Sequence, residues 1–119
     1  MKEYVNIIKY EKSLIVSFNI EEDKVLKIGE KMNELNDEAY MNGYNWEAFL
    51  DYYLNKNYPD VIRNMDTDSE AGMYTALYEL NPDNEIKAKH LAGIIEDLIE
   101  NEEKLYKIIN EEGESIDWD

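Results

Sequence analysis

At Glu21 the spacing of apolar residues changes from two to about 3.6, and that change limits the folds open to this chain. Upstream, Leu14, Val16, Phe18 and Ile20 fall on one face at period two, with Ser17 and Asn19 on the other. Tyr4–Tyr10 is equally rich in β-branched and aromatic residues, and Glu11-Lys12-Ser13 suits a short connection, so 4–20 reads as a β-hairpin. Downstream, Val25, Ile28, Gly29, Met32 and Leu35 take helical spacing over about 22–35, and Glu21, Glu22 and Asp23 sit where the helix dipole favours negative charge. A chain that begins as strands and continues as helices is heading for a mixed architecture.

The next segment is crowded with rings. Seven of the fourteen aromatic residues lie between Tyr40 and Tyr58. Asn42-Gly43 is a turn signal, and Asn45 is placed to cap a second helix. Trp46, Phe49, Leu50, Tyr53 and Leu54 then recur as one inward stripe, closed by Tyr58-Pro59. Tyr44, Tyr52 and Tyr58 are left outside that stripe. Residues 60–65 suit a short helical turn, and 65–72 reads as polar and turn-like. A third strand is expected over 73–80, with Tyr74, Ala76, Tyr78 and Leu80 on one face. Asn81-Pro82-Asp83 breaks the chain. Two further helices follow, at about 84–99 and 102–112, and one continuous helix from 84 to 112 is also compatible with the apolar phase. Asn101 is placed to cap the last helix, and Gly113 to end it in left-handed geometry. The expected order is ββααβαα, an α+β fold with a small antiparallel sheet, a hairpin plus a later strand, and about four helices on one face. The length of 119 residues suits a single domain spanning 1–119.

The formal net charge of −16 is the strongest compositional signal. It repels nucleic acid and anionic lipid and attracts basic partners, more weakly as salt rises. No long apolar run suggests a membrane span, and the acids and lysine within MKEYVNIIKYEK interrupt any secretory core. The absence of cysteine excludes disulfides and thiol chemistry. A cytoplasmic location fits both.

Few residues point to catalysis. Asp66-x-Asp68-x-Glu70 resembles the opening of a calcium loop, but the sixth position is Ala71 instead of glycine and the twelfth is Leu77 instead of a bidentate acid. His90, the one histidine, has no candidate nucleophile beside it and no acid at helical spacing nearer than Asp97. With 28 acids a glycosidase-like pair is always available on paper, so it carries no specificity. The five glycines are too dispersed for a phosphate loop. No cofactor and no metal are expected. Tyrosine gives large contact area at low entropy cost, which makes Tyr44, Tyr52, Tyr58 and Tyr74 among acids a plausible surface for a basic protein.

Two motifs carry a family resemblance. Gly43-Tyr44-Asn45-Trp46-Glu47-Ala48-Phe49-Leu50 followed by Tyr53-Leu54, and Asp66-Thr67-Asp68-Ser69-Glu70-Ala71-Gly72-Met73-Tyr74 after it, resemble the immunity protein 51 family. IIEDLIENEEKL (94–105) is similar to that family's C-terminal helical segment, so the resemblance covers roughly residues 40–106. It implies a bacterial antidote that binds and neutralises a cognate polymorphic toxin and is not an enzyme. The motif positions that correspond are Trp46, Glu47, Asp66, Asp68, Glu70 and Tyr74. A basic toxin domain is the partner expected from the charge, with Tyr44, Tyr52, Asp66, Asp68, Glu70 and Tyr74 as the contact residues. Two other readings compete: an acidic adaptor with no toxin partner, and a small metal-dependent hydrolase working through carboxylates.

Overall fold

The computed structural model describes residues 1–119. The hairpin forms where the alternation places it, as β1 (Val5–Tyr10) and β2 (Ser13–Asn19). Glu11 and Lys12 make a two-residue turn between the paired Tyr10 and Ser13, with Glu11 at φ 54°. The helical spacing becomes α1 (Asp23–Leu35), followed by α2 (Gly43–Asn57) and a single turn, α3 (Pro59–Ile62). A short strand, β3 (Asp66–Thr67), precedes β4 (Met73–Glu79). Then α4 (Pro82–Glu100) and α5 (Glu102–Glu112) lead into a 3-10 turn at Gly113–Ser115.

The four strands form one antiparallel sheet in the order β1-β2-β4-β3. The fold is therefore α+β, with one strand more than the sequence predicts. Leu14, Val16, Phe18 and Ile20 are buried, as are Tyr74, Ala76 and Tyr78 beside them. Helix α4 lies over β1 and β2 on this face, and α2 lies over β4. The other face carries no helix.

The aromatic residues run through the core as a chain of contacts. Tyr4, Phe18, Trp46, Phe49, Tyr53 and Tyr58 follow one another at centroid separations of 5.0–6.1 Å. His90 closes the chain edge-on to Tyr58 at 5.2 Å, and its exposure on α4 places it at the rim of the core. Most of these contacts are edge-to-face, the arrangement that ring quadrupoles favour.

Both long helices that follow a turn begin with the same device. The Asn42 side chain accepts the Asn45 N–H at 2.9 Å, and Asn45 Nδ2 returns to the Tyr40 carbonyl at 2.7 Å. In α4, the Asn81 side chain accepts the Asn84 N–H at 2.8 Å, and Asn84 Nδ2 returns to the Glu79 carbonyl at 2.8 Å. This is a reciprocal box built from asparagine at both ends. Asn45 therefore does not cap α2. Asn42 does, because it has the extended backbone that a cap requires.

Other expectations are corrected in the same way. Asn101 separates α4 from α5, so no helix runs through 84–112. Its side chain bonds back to the Asp97 carbonyl and carboxylate and caps nothing in α5. Gly113 is right-handed, at φ −57°. A Cβ there would stand 2.6 Å from Asn36 Nδ2, the end of a side chain that can move aside. Leu80 falls one residue past β4 and is exposed instead of continuing the Tyr74–Ala76–Tyr78 row.

Candidate functional site

The polar segment 66–72 is a hairpin arm, held by what it pairs with. Asp66 stands opposite Leu77 and Thr67 opposite Ala76. The Asp68 N–H donates to the Thr75 carbonyl at 3.0 Å, and Glu70 and Met73 exchange bonds of 2.8 and 3.2 Å. The register thus continues past β3 to a turn at Ala71-Gly72. Side chains alternate along such an arm. Thr67 lies on the covered side with Ala76. Asp66, Asp68 and Glu70 all lie on the uncovered side, along one border of the sheet. All three are exposed, and none has a cation within salt-bridge distance.

The start of α2 rests on this turn. The Gly43 N–H donates to the Ala71 carbonyl at 2.7 Å. A Cβ on Gly43 would lie 1.8 Å from the Glu70 carbonyl oxygen. Tyr44 follows immediately and is 42% exposed. The site therefore joins Asp66, Asp68 and Glu70 to the Tyr44 end of α2.

Two expected contact residues do not join it. Tyr74 is 0% exposed and packs on the inner face, so it offers no surface to a partner. Burial also pushes its hydroxyl well above the usual tyrosine range, and that hydroxyl has no hydrogen-bond partner. Tyr52 is half-buried, and its hydroxyl donates to the Glu112 carboxylate at 2.6 Å, which Lys56 also engages. It fastens α2 to α5. The two hydrogen bonds, Lys56 first and then Tyr52, hold the Glu112 carboxyl below its ordinary range.

Net charge alone conceals the feature that makes this border anionic. Residues 32–55 and 64–86 contain eleven acids and no lysine or arginine. The Gly43–Ala71 bond brings these two segments together. Several cations elsewhere are paired: Lys2 and Lys24 at Glu100, Lys9 at Glu85, Lys56 at Glu112 and Lys104 at Asp97, while Lys12 and Lys87 line the same cleft as Asp66 without an ion pair. The positions of the cations, more than the number of acids, were the readable signal.

No three His, Asp or Glu side chains are grouped to hold a metal. A cleft of about 800 Å³ opens between β4 and the start of α4, but nine of its twelve lining residues are polar. Ligand pockets are predominantly apolar, with few polar groups. No helix is long and apolar enough to cross a membrane.

A family model, immunity protein 51, matches residues 5–114. The chain belongs to the immunity protein 51 family. No curated protein matches the chain, and no solved structure does. The match extends the resemblance across the N-terminal hairpin and α1. In this immunity protein 51 member the two motifs meet each other, and much of each is structural. Trp46 is 1% exposed, and Phe49, Leu50, Leu54 and Tyr74 are fully buried. Within the second motif, the outward carboxylates are the part available to another molecule.

One carboxylate near Tyr74 makes stability depend on pH. Burial, and then the neighbouring Glu47, raise the Asp51 carboxyl to about 6. The folded state therefore binds a proton that the unfolded chain releases near pH 3.8. Stability from this group is fully present below the unfolded value and is lost as pH rises through about 6. A shift of this size is worth about 3 kcal/mol at full burial, and solvent access around the half-exposed side chain reduces it to about 1. Asp51→Asn is expected to stabilise the protein by about 1 kcal/mol at pH 7.5 and by nothing measurable at pH 4. Urea unfolding at the two pH values checks this; an equal effect at both would refute it.

Proposed function

We propose that this protein neutralises a cognate polymorphic toxin by stoichiometric binding, with no turnover of its own, and that the toxin domain is basic. The observation that carries the reading is the anionic border of Asp66, Asp68 and Glu70. None of the three is in a salt bridge, and the two family motifs meet at this border. A border of this kind raises the encounter rate of a cationic protein and disfavours neutral or anionic ones. Once docked, carboxylates that lose water against lysine or arginine hold the complex. Tyr44 adds contact area at one end, and Tyr52 lies farther along α2 at the flank. The protein acts in the cytoplasm of the cell that makes the toxin, either by covering the toxin's active site or by binding beside it.

The test is co-expression with the toxin domain encoded beside this chain. Cells are expected to survive, and the purified pair to run as a 1:1 complex. Unchanged killing, with no complex at micromolar concentrations, would remove the reading. A basic partner that is not a toxin would favour an adaptor.

A further inference from the structure

The helices that pack on the sheet, α2 and α4, lie on one face, and the opposite face has a definite pattern. Ile8 pairs with Ile15, Ile15 with Leu77, and Leu77 with Asp66. Partners in an antiparallel ladder share a face, so the three aliphatic side chains form a row across three strands. The row ends on the carboxylate of the fourth strand. Ile8 is 48% exposed, and Ile15 and Leu77 are half-buried by their neighbours alone. Ser17 and Thr75 form a hydroxyl row on one side, and Tyr10, 63% exposed, stands on the other.

We propose that this uncovered face is where the cationic partner docks, with the Ile8–Ile15–Leu77 row at its centre and Asp66, Asp68 and Glu70 along its border. The inference rests on the immunity reading and specifies its surface. The partner brings an aliphatic or aromatic side chain onto the row and lysine or arginine to the border.

Charge decides the occupant. A second copy would set its own Asp66, Asp68 and Glu70 near those of the first, in a molecule of net charge −16. An anionic bilayer meets the same repulsion. The C-terminal tail is engaged elsewhere, with the Asp119 N–H on the Asn45 side chain at 2.7 Å. Size is consistent too. The 22 strand residues, each rising about 3.4 Å in strands about 4.8 Å apart, cover roughly 360 Å². That is about half of what one partner contributes to a standard interface, and the border and Tyr44 extend it.

The probe is the toxin domain encoded beside this chain, titrated calorimetrically. Ile15→Thr with Leu77→Thr keeps strand propensity and opens no core cavity, and its melting should match wild type. Affinity is expected to fall about thirtyfold, the scale of central apolar contacts. Ile86→Thr, on α4 and 70% exposed, is expected to change nothing. If the double variant melts early, Ile8→Lys on the edge strand replaces it, with the same loss expected. A wild-type complex whose affinity stays within threefold in these variants overturns this inference alone. A wild-type protein that forms no complex overturns the immunity reading with it. A concentration-dependent dimer abolished by the double variant would assign the face to self-association and overturn the proposal.

Discussion

Gly43→Ala is expected to destabilise the protein by about 4 kcal/mol, lowering its melting temperature by about 15 °C. In an exposed helix the same change would be favourable by up to about 1 kcal/mol. Here the added carbon would lie 1.8 Å from the Glu70 carbonyl oxygen and 2.8 Å from that of Met73. Both are backbone atoms, so no side chain can rotate away. The glycine is not required for left-handed geometry, since no glycine in the chain has positive φ. It is required because α2 begins in contact with the 70–73 turn. To admit a methyl group, the helix start must withdraw, breaking the Gly43–Ala71 bond and disturbing Trp46 beneath it. Denaturant unfolding measures the cost, and a variant as stable as wild type would show that α2 does not rest on the turn.

The second large effect concerns binding. Asp66→Asn, Asp68→Asn and Glu70→Gln together are expected to weaken the toxin complex about 100-fold at low salt and to flatten its salt dependence. Stability should be unchanged or slightly higher, because none of the three has a cationic partner to lose and their mutual repulsion is relieved. The comparison is Glu102→Gln with Glu103→Gln, two exposed acids at the start of α5. If the partner responds only to total charge, the loss per acid removed will be equal in the two sets. The local reading predicts a small change for α5 and a large one for the border. Stopped-flow association and calorimetry at two salt concentrations separate them.

Much of the fold was legible because hydrophobic spacing is local. The alternation at 14–20 and the helical stripes of α1 and α2 each declare their period within a few residues. What was hidden depended on partners distant in sequence. Asp66-Thr67-Asp68-Ser69-Glu70 has little strand propensity, and it is extended because β4 offers a free edge to pair with. Asn42 and Asn45 are equally good caps by composition. The choice is made by where Gly43 must sit against the turn. Tyr74 is different: alternation put it on one face with Ala76 and Tyr78 but did not say which face, and the helices packed over that face bury it. The candidate site was half visible: the three acids were named as partner contacts in a polar turn, without the strand that lines them up. Strand pairing is what turns them into a border.

The bond from Gly43 to the 70–72 turn also bears on how this protein ages. In a flexible chain, asparagine followed by glycine is prone to attack by the glycine nitrogen on the asparagine amide, which leaves aspartate or isoaspartate. In the folded protein that nitrogen donates to Ala71, and the Asn42 side chain is held by the Asn45 N–H. Both reactants are pinned, so the native molecule is shielded from spontaneous deamidation at its most vulnerable pair. Damage at Asn42 would accumulate only during excursions from the native state, and would then remove the cap that the returning helix needs.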